Sequence, residues 1–195
     1  MGLDLSCEIN KTMDKTAEQY LQAIGQCKDV FVLKYEDYGP SWRILRASSI
    51  TDQILIKARR IRTIEETGMN RVDEGIWPEF IGIYNYSLIG LIQLELGSTL
   101  TPGSDPQDYL ALYDRFSQQA FQLMEDKNHD YGEAWRWMRI ESYTDLILMK
   151  INRIKEIENN KGQTLASEGV ASNYLDIMNY AAFALIRMTE EQLKN

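Results

Sequence analysis

Two cationic side chains, Lys150 and Arg153, lie three positions apart in a stretch with helical periodicity. Residues with this spacing project from the same face of a helix, so both can approach one ligand. Lys57 and Arg60 repeat the spacing earlier in the chain. Lysine offers a point charge and arginine a planar fork of donors, which together suit phosphate oxygens. We interpret these four residues as candidate ligand-binding residues; the alternative is a solvated face with local ion pairs.

Two carboxylates, Glu168 and Asp176, are the best candidates for catalytic residues and for ligands of a metal ion. Carboxylate oxygens suit a hard cation such as Mg²⁺, the expected cofactor. Eight residues of helix rise about 12 Å, so one ion reaches both side chains only if Glu168 lies on a loop before the helix. The structural alternative is favourable charge at a helix N-terminus for Glu168 and a polar groove position for Asp176.

Three further polar residues, Asn173, Asn179 and Tyr180, share a helical face with Asp176. Apolar side chains lie close to this face, so its polar groups need partners when it packs. A bound ligand is one such partner, and we therefore include these three residues among the ligand-binding candidates.

The candidate residues lie in a segment that the chain contains twice. The stretch from Lys34 to Glu65 is identical to the stretch from Lys127 to Glu158 at 17 of 32 positions. After one inserted residue a weaker similarity continues to Asn85-Tyr86 and Asn179-Tyr180. A repeated unit that cannot bury its own apolar face packs against its copy. We therefore expect two repeats related by an approximate two-fold rotation.

Apolar residues recur at helical spacing, and no segment alternates with the period of a β-strand. The predicted helices run from about Met13 to Glu36, Ser49 to Ile64, Asp73 to Leu96, Asp108 to Asn128 and Ser142 to Glu158, with a last helix that ends at Leu193. Ser49-x-x-Asp52 and Ser142-x-x-Asp145 have the spacing of capping boxes. The predicted fold is all-α, a helical bundle made of two tandem three-helix repeats packed with pseudo-two-fold symmetry.

One stretch rich in Gly, Ser and Pro, residues 97–106, is the predicted linker. Residues 1–96 then form the N-terminal helix and the first repeat, and residues 107–195 form the second repeat. The chain has 195 residues, of which 44% are hydrophobic, so we expect one compact unit with a full core.

The charge of the chain limits its partners. It carries 29 acidic and 21 basic residues, a formal net charge of −8, so it lacks the basic surface that nucleic-acid polymers require. A small phosphorylated ligand such as a nucleotide remains a candidate partner, as does a second copy in a homo-oligomer. Gln93 and Glu95 interrupt the longest apolar run, and the N-terminus lacks the pattern of a secretion signal. We therefore expect no membrane partner and a cytoplasmic location.

The order of the motifs resembles a known family. The unit "DYG…W…D…K…R", followed by "EG…NYLDIMNYAAFAL", is similar to the first of the nucleotide-modification-associated domain families, short α-helical proteins of bacteria and phages. The resemblance extends from Lys34 to Ile186 and implies a role associated with nucleotide metabolism. A more distant resemblance is to all-α nucleoside triphosphate pyrophosphohydrolases of the MazG type, which bind Mg²⁺ through E-x-x-E and E-x-x-D motifs. This chain has Glu156-x-x-Asn159 and Asn173-x-x-Asp176 instead.

Two functions of different classes follow. The first is a Mg²⁺-dependent nucleoside triphosphate pyrophosphohydrolase or a relative of one, in which Lys150 and Arg153 hold the phosphates. The alternative is a non-catalytic helical module that binds a nucleotide or a protein. Four or more converging carboxylates would favour the enzyme, whereas a groove lined by lysine, arginine and aromatic residues with isolated carboxylates would favour the module.

The two copies are not expected to be equivalent. Gly82 occupies the position of Asp176 in the first copy, and Trp77 and Pro78 replace small residues shortly before it. A glycine offers an ion only backbone atoms, and the larger residues favour a bulkier groove. We therefore expect the active site mainly in the second copy.

Overall fold

The computed structural model describes residues 5–69, 75–103, 108–163 and 168–193, with side chains from residue 15 onward. Within these ranges the chain forms α-helices and two short 3₁₀ helices, and no strand. The α-helices are α1 (Leu5–Tyr38), α2 (Ala47–Thr67), α3 (Trp77–Leu96), α4 (Tyr109–Tyr131), α5 (Ile140–Asn159) and α6 (Val170–Gln192). The 3₁₀ helices are Ser41–Ile44 and Ala134–Trp137. The all-α prediction is confirmed.

The repeated Asp-Tyr-Gly motif ends the long first helix of each copy. Gly39 and Gly132 have φ angles of 62° and 61°, a left-handed conformation that a side chain disfavours. The amide of Gly39 donates to the carbonyl of Tyr35 at 2.8 Å and closes the end of α1. The chain then enters a 3₁₀ helix whose tryptophan, Trp42 or Trp135, is buried. The motif therefore stops one helix and anchors the following turn in the core.

Hydrogen bonds between the copies occur in exchanged pairs. The Tyr20 hydroxyl in α1 donates to Asn179 Oδ1 in α6 at 2.5 Å, and the Tyr113 hydroxyl in α4 donates to Asn85 Oδ1 in α3 at 2.9 Å. Tyr20 and Tyr113 are equivalent in the two copies, as are Asn85 and Asn179. Each copy thus gives the other the same contact that it receives. This exchange is the property of a two-fold axis and is incompatible with a translation.

The contact between α2 and α5 follows the same rule. The Thr51 hydroxyl donates to Glu158 at 3.1 Å, and the equivalent Thr144 hydroxyl donates to Glu65 at 2.8 Å. Burial raises the pKa of both glutamates, and the bond from the threonine lowers it in part. The predicted pseudo-two-fold packing is therefore present at two separate helix contacts.

The prediction of two Ser-x-x-Asp capping boxes is wrong. α2 begins after Arg46, and neither that residue nor its counterpart before α5 makes a side-chain capping bond. The aspartates lie inside the helices and face the other copy. Asp52 contacts Lys155 at 2.8 Å, and the equivalent Asp145 contacts Arg62 at 3.4 Å. Their matching positions in the two copies reflect a third exchanged pair across the two-fold axis instead of a helix start.

α3 and α6 cross at the centre of the molecule, and the other helices pack around them over one continuous core. A Cβ at Gly90 would lie 2.8 Å from the Tyr174 ring, so the glycine permits the close crossing. The predicted linker connects α3 to α4, although residues 104–106 lie outside the described ranges, and the division into domains stays a prediction. None of the described helices has both the length and the apolar character that a bilayer-spanning segment needs.

Candidate functional site

Each copy contains a pocket beside its third helix. The first-copy pocket lies between α1, the 3₁₀ helix Ser41–Ile44, α2 and α3 and has a volume of about 670 Å³. The second-copy pocket lies between α4, the 3₁₀ helix Ala134–Trp137 and α6 and has a volume of about 120 Å³. Equivalent residues line both pockets, so they are related by the pseudo-two-fold axis. The larger residues of the first copy were expected to fill its groove, and this prediction is wrong, because the first-copy pocket is the larger of the two.

Aromatic side chains form much of the wall of the first-copy pocket: Phe31, Tyr35, Tyr38, Trp42 and Tyr86. Trp42 is held in place by the Tyr109 ring, which meets it edge-on at a centroid distance of 5.3 Å. Tyr38 is 56% exposed at the end of α1 and lies at the mouth. The charged residues of the lining are Lys34, Lys57 and Glu79. The pocket therefore combines flat apolar surfaces with two cations.

The predicted pair Lys57 and Arg60 converges on one carboxylate. Lys57 Nζ lies 3.1 Å from Glu79 Oε2, and Arg60 Nη1 donates to Glu79 Oε1. The Glu79 side chain is buried in α3, whereas the two cations keep part of their surface in contact with solvent. The two cations share a face of α2, and the anion that both contact lies on the next helix. Their role in ligand binding stays a prediction.

In the second copy, Lys150 and Arg153 do not converge. Lys150 Nζ contacts Asp176 Oδ2 at 2.6 Å, and Lys127 Nζ contacts Asp176 Oδ1 at 2.5 Å. Arg153 points elsewhere: it contacts Glu156 at 3.3 Å and lines a separate groove on the surface of α5. The Asp176 side chain is only 5% exposed. It therefore forms a buried ion-pair centre with one lysine from α4 and one from α5.

A ring of α6 reduces the volume of the second-copy pocket. Phe183 stacks on Trp135 at a centroid distance of 4.3 Å with an interplanar angle of 6°. The first copy has Ile89 at the position of Phe183, so its third helix offers no ring at this position to stack on Trp42. Tyr180 lines the remaining cavity; burial raises the pKa of its hydroxyl, the charge of Asp176 raises it further, and Lys127 opposes this.

The other predicted site residues have separate roles. Asn173 Nδ2 donates to the Gly169 carbonyl at 2.8 Å and supports the start of α6. Glu168 is exposed and lies just before the start of α6. Asn179 accepts from Tyr20, while its Nδ2 is buried with no hydrogen-bond partner among the described residues and borders the second-copy pocket. Asn179 and Tyr180 thus share a pocket with Asp176, and Asn173 does not line it.

The geometry around Asp176 fits an ion-pair centre better than a Mg²⁺ site. Each oxygen faces an ammonium group, and ammonium groups repel a divalent cation. Within the described ranges, no three His, Cys, Asp or Glu side chains are grouped so that they could hold a metal ion. The catalytic and metal-binding roles of Glu168 and Asp176, and Mg²⁺ itself, stay predictions.

Sequence reasoning missed Lys34 and Lys127 as site residues. They are equivalent in the two copies, and each lines the pocket of its own copy. The available signal was their identity at the start of the matched stretch. Spacing along one helix selected the pair Lys57 and Arg60. Lys34 has no cation three or four positions away on α1, so only the folded structure shows that it lines the pocket.

The fold and its paired pockets define a duplicated all-helical protein with a pocket of ligand size in its first copy. A family model described as nucleotide modification associated domain 1 matches residues 34–94 and 127–188. These two segments cover more than half of the chain, which therefore belongs to this family and contains the domain twice. No curated protein and no solved structure matches the chain.

Proposed function

We propose that this protein binds a nucleotide in the first-copy pocket and acts as a nucleotide-binding module. The observation that carries the proposal is the 670 Å³ pocket itself, with aromatic walls and lysines at one site. Ligand pockets commonly have volumes of about 300–1,000 Å³. Aromatic side chains stack on bases, at about 1–3 kcal/mol per base, and lysine ammonium groups bind phosphate. Membership of a family named for nucleotide modification supports the same ligand class.

The arrangement of charges favours the binding module over the hydrolase. Glu79 is the carboxylate in the lining of the pocket, and Lys57 and Arg60 both contact it. An isolated, cation-bound carboxylate beside aromatic residues suits binding, whereas the E-x-x-E and E-x-x-D motifs of MazG-type hydrolases supply four carboxylates around Mg²⁺. A MazG-type pyrophosphohydrolase stays the alternative prediction; Mg²⁺-dependent release of pyrophosphate from a nucleoside triphosphate would support it.

The test is a titration of the protein with the common nucleosides and their mono-, di- and triphosphates, followed by calorimetry with and without Mg²⁺. Tyr38→Ala removes a ring from the mouth of the pocket, and we expect about tenfold weaker binding. Tyr131→Ala is the matched control, because Tyr131 is the equivalent exposed residue in the second copy. Absence of binding by the wild-type protein, or equal losses in both variants, would contradict the proposal.

A further inference from the structure

The second copy shows how this fold places an anion between two lysines. Lys127 in α4 and Lys150 in α5 both contact the Asp176 carboxylate, at 2.5 Å and 2.6 Å. The equivalent lysines of the first copy, Lys34 in α1 and Lys57 in α2, line the first-copy pocket. The cations are therefore present twice, but the carboxylate at their centre is present once.

Gly82 replaces that carboxylate in the first copy. Lys57 passes directly over the glycine, since a Cβ there would lie 2.7 Å from Lys57 Cε. Its ammonium group then reaches Glu79 one turn earlier in α3. Lys34 is exposed and forms no ion pair with any residue that the structure describes. The first copy thus has one lysine with a partner, one without a partner in the described ranges, and a glycine where the second copy has Asp176.

We infer that the phosphate group of a bound nucleotide lies in the first-copy pocket and contacts Lys34 and Lys57, in the way that the Asp176 carboxylate contacts the equivalent Lys127 and Lys150 of the second copy. The inference rests on the proposed function and specifies the ligand as a nucleoside 5′-monophosphate. A phosphate monoester carries a charge of about −1.5 to −2 at pH 7 and three terminal oxygens. It can therefore accept from Lys34 and from Lys57 while Lys57 keeps its contact with Glu79, because an ammonium group has three donors.

The position also agrees with the shape of the pocket. Tyr86 lies one turn beyond Gly82 on α3, and Lys57 Nζ is 6.0 Å from the centre of its ring. Phe31 and Tyr35 lie on α1 within one turn of Lys34, and all three line the same cavity. A phosphate at the lysines therefore leaves the base and sugar beside the aromatic walls.

The test compares the affinity for a nucleoside with the affinity for its 5′-monophosphate in each variant, so that steric effects on the base cancel. In the wild-type protein we expect the monophosphate to bind at least about tenfold more tightly, the size expected for charged hydrogen bonds. Gly82→Asp supplies an internal carboxylate, and the ratio should fall to about one. Gly82→Asn has the same size without the charge and should retain most of the preference.

Lys34→Gln is the second variant, chosen because this exposed residue makes no ion pair in the described ranges and its loss should not prevent folding. It should reduce the preference for the monophosphate several-fold. Lys127→Gln is the matched change in the second copy and should leave it unaltered.

A preference retained in Gly82→Asp, or a wild-type ratio near one, would overturn the inference while nucleoside binding continued to support the proposed function. Inorganic phosphate that binds as tightly as the monophosphate would also overturn it. If neither nucleoside nor nucleotide binds to the wild-type protein, the proposed function itself fails.

Discussion

In each copy a carboxylate of the third helix pairs with the equivalent lysine of the second helix, but the two carboxylates lie on different turns. In the first copy Lys57 contacts Glu79, and in the second the equivalent Lys150 contacts Asp176, which lies one turn further along. The position of Asp176 is Gly82 in the first copy. Both arrangements balance the lysine charge, but the pocket beside the third helix is larger in the first copy.

The comparison separates two requirements of a partly buried lysine. Its charge needs a nearby anion, which either position on the third helix supplies. The pocket beside the third helix differs separately, because Ile89 of the first copy replaces the ring of Phe183. The pocket has a volume of about 120 Å³ in the second copy and about 670 Å³ in the first, and the lysine of the second helix is paired in both.

The largest expected effect comes from removing either carboxylate. Asp176→Ala leaves Lys127 and Lys150 close together without an anion, and we expect a loss of about 2–4 kcal/mol in the free energy of unfolding, because the lysines remain partly solvated. Glu79→Ala should cost a similar amount, since Lys57 and Arg60 lose the same kind of partner. Chemical denaturation measures both values.

Asp52→Ala is the control for these two variants, because its contact with Lys155 is exposed on both sides and should contribute less than about 1 kcal/mol. A small loss for one buried carboxylate and a large loss for the other would show that the two copies do not share this structural requirement.

An intermediate effect is expected for the exchanged tyrosines. Tyr113→Phe and Tyr20→Phe each remove one buried hydrogen bond to an asparagine, at about 1–2 kcal/mol of stability. Tyr20→Phe should be the more costly, because Asn85 keeps a bond from its Nδ2 to the Cys27 carbonyl at 2.9 Å. Asn179 has no equivalent bond in the described ranges. Equal losses in parallel denaturation curves would contradict this difference between the copies.

The smallest effect concerns the exchanged glutamates and depends on pH. Burial is the main cause of the raised pKa of Glu65 and of Glu158 in the folded protein. The folded state therefore binds these protons more tightly than the unfolded state, and wild-type stability falls as the pH rises from the unfolded pKa of about 4.3 through the raised folded pKa. Glutamine cannot ionise and keeps an acceptor for the threonine hydroxyl.

We therefore expect the melting temperature of Glu65→Gln/Glu158→Gln to match the wild type below pH 4 and to exceed it near neutral pH, by less than about 3 °C. Glu66→Gln, at an exposed neighbouring position, is the control. A difference that is largest in acid would reverse the assigned direction of the pKa shifts.

Much of the fold is readable from the sequence because the duplication fixes the architecture. Two matched segments with helical periodicity require two similar helical units, and the turn at Gly39 recurs at Gly132. Helix boundaries were less predictable. The Ser-x-x-Asp spacing that suggested a cap instead places Asp52 opposite Lys155, more than 100 residues away in the sequence. Spacing within a helix identifies a face of that helix but not the element that the face meets.

The candidate site was harder to predict from the sequence than the fold, for the same reason. Lys57 and Arg60 were identified from their spacing, whereas Glu79 becomes their partner only when α3 packs on α2. Gly82 read alone indicates a missing metal ligand. With the Lys57 side chain above it, the same glycine leaves the space that this lysine occupies. The role of a glycine can therefore be assigned only when the side chains packed around it are known.

The exchanged contacts also give the molecule the interface of a symmetric dimer within a single chain. In a dimer of identical subunits a change at one site occurs at both, and weaker association separates the subunits on dilution. Here the connection between α3 and α4 holds the halves at a fixed effective concentration. A residue such as Gly82 can therefore differ from Asp176 without a matching change elsewhere. The fused chain can specialise one half for a ligand while the other half stays closed.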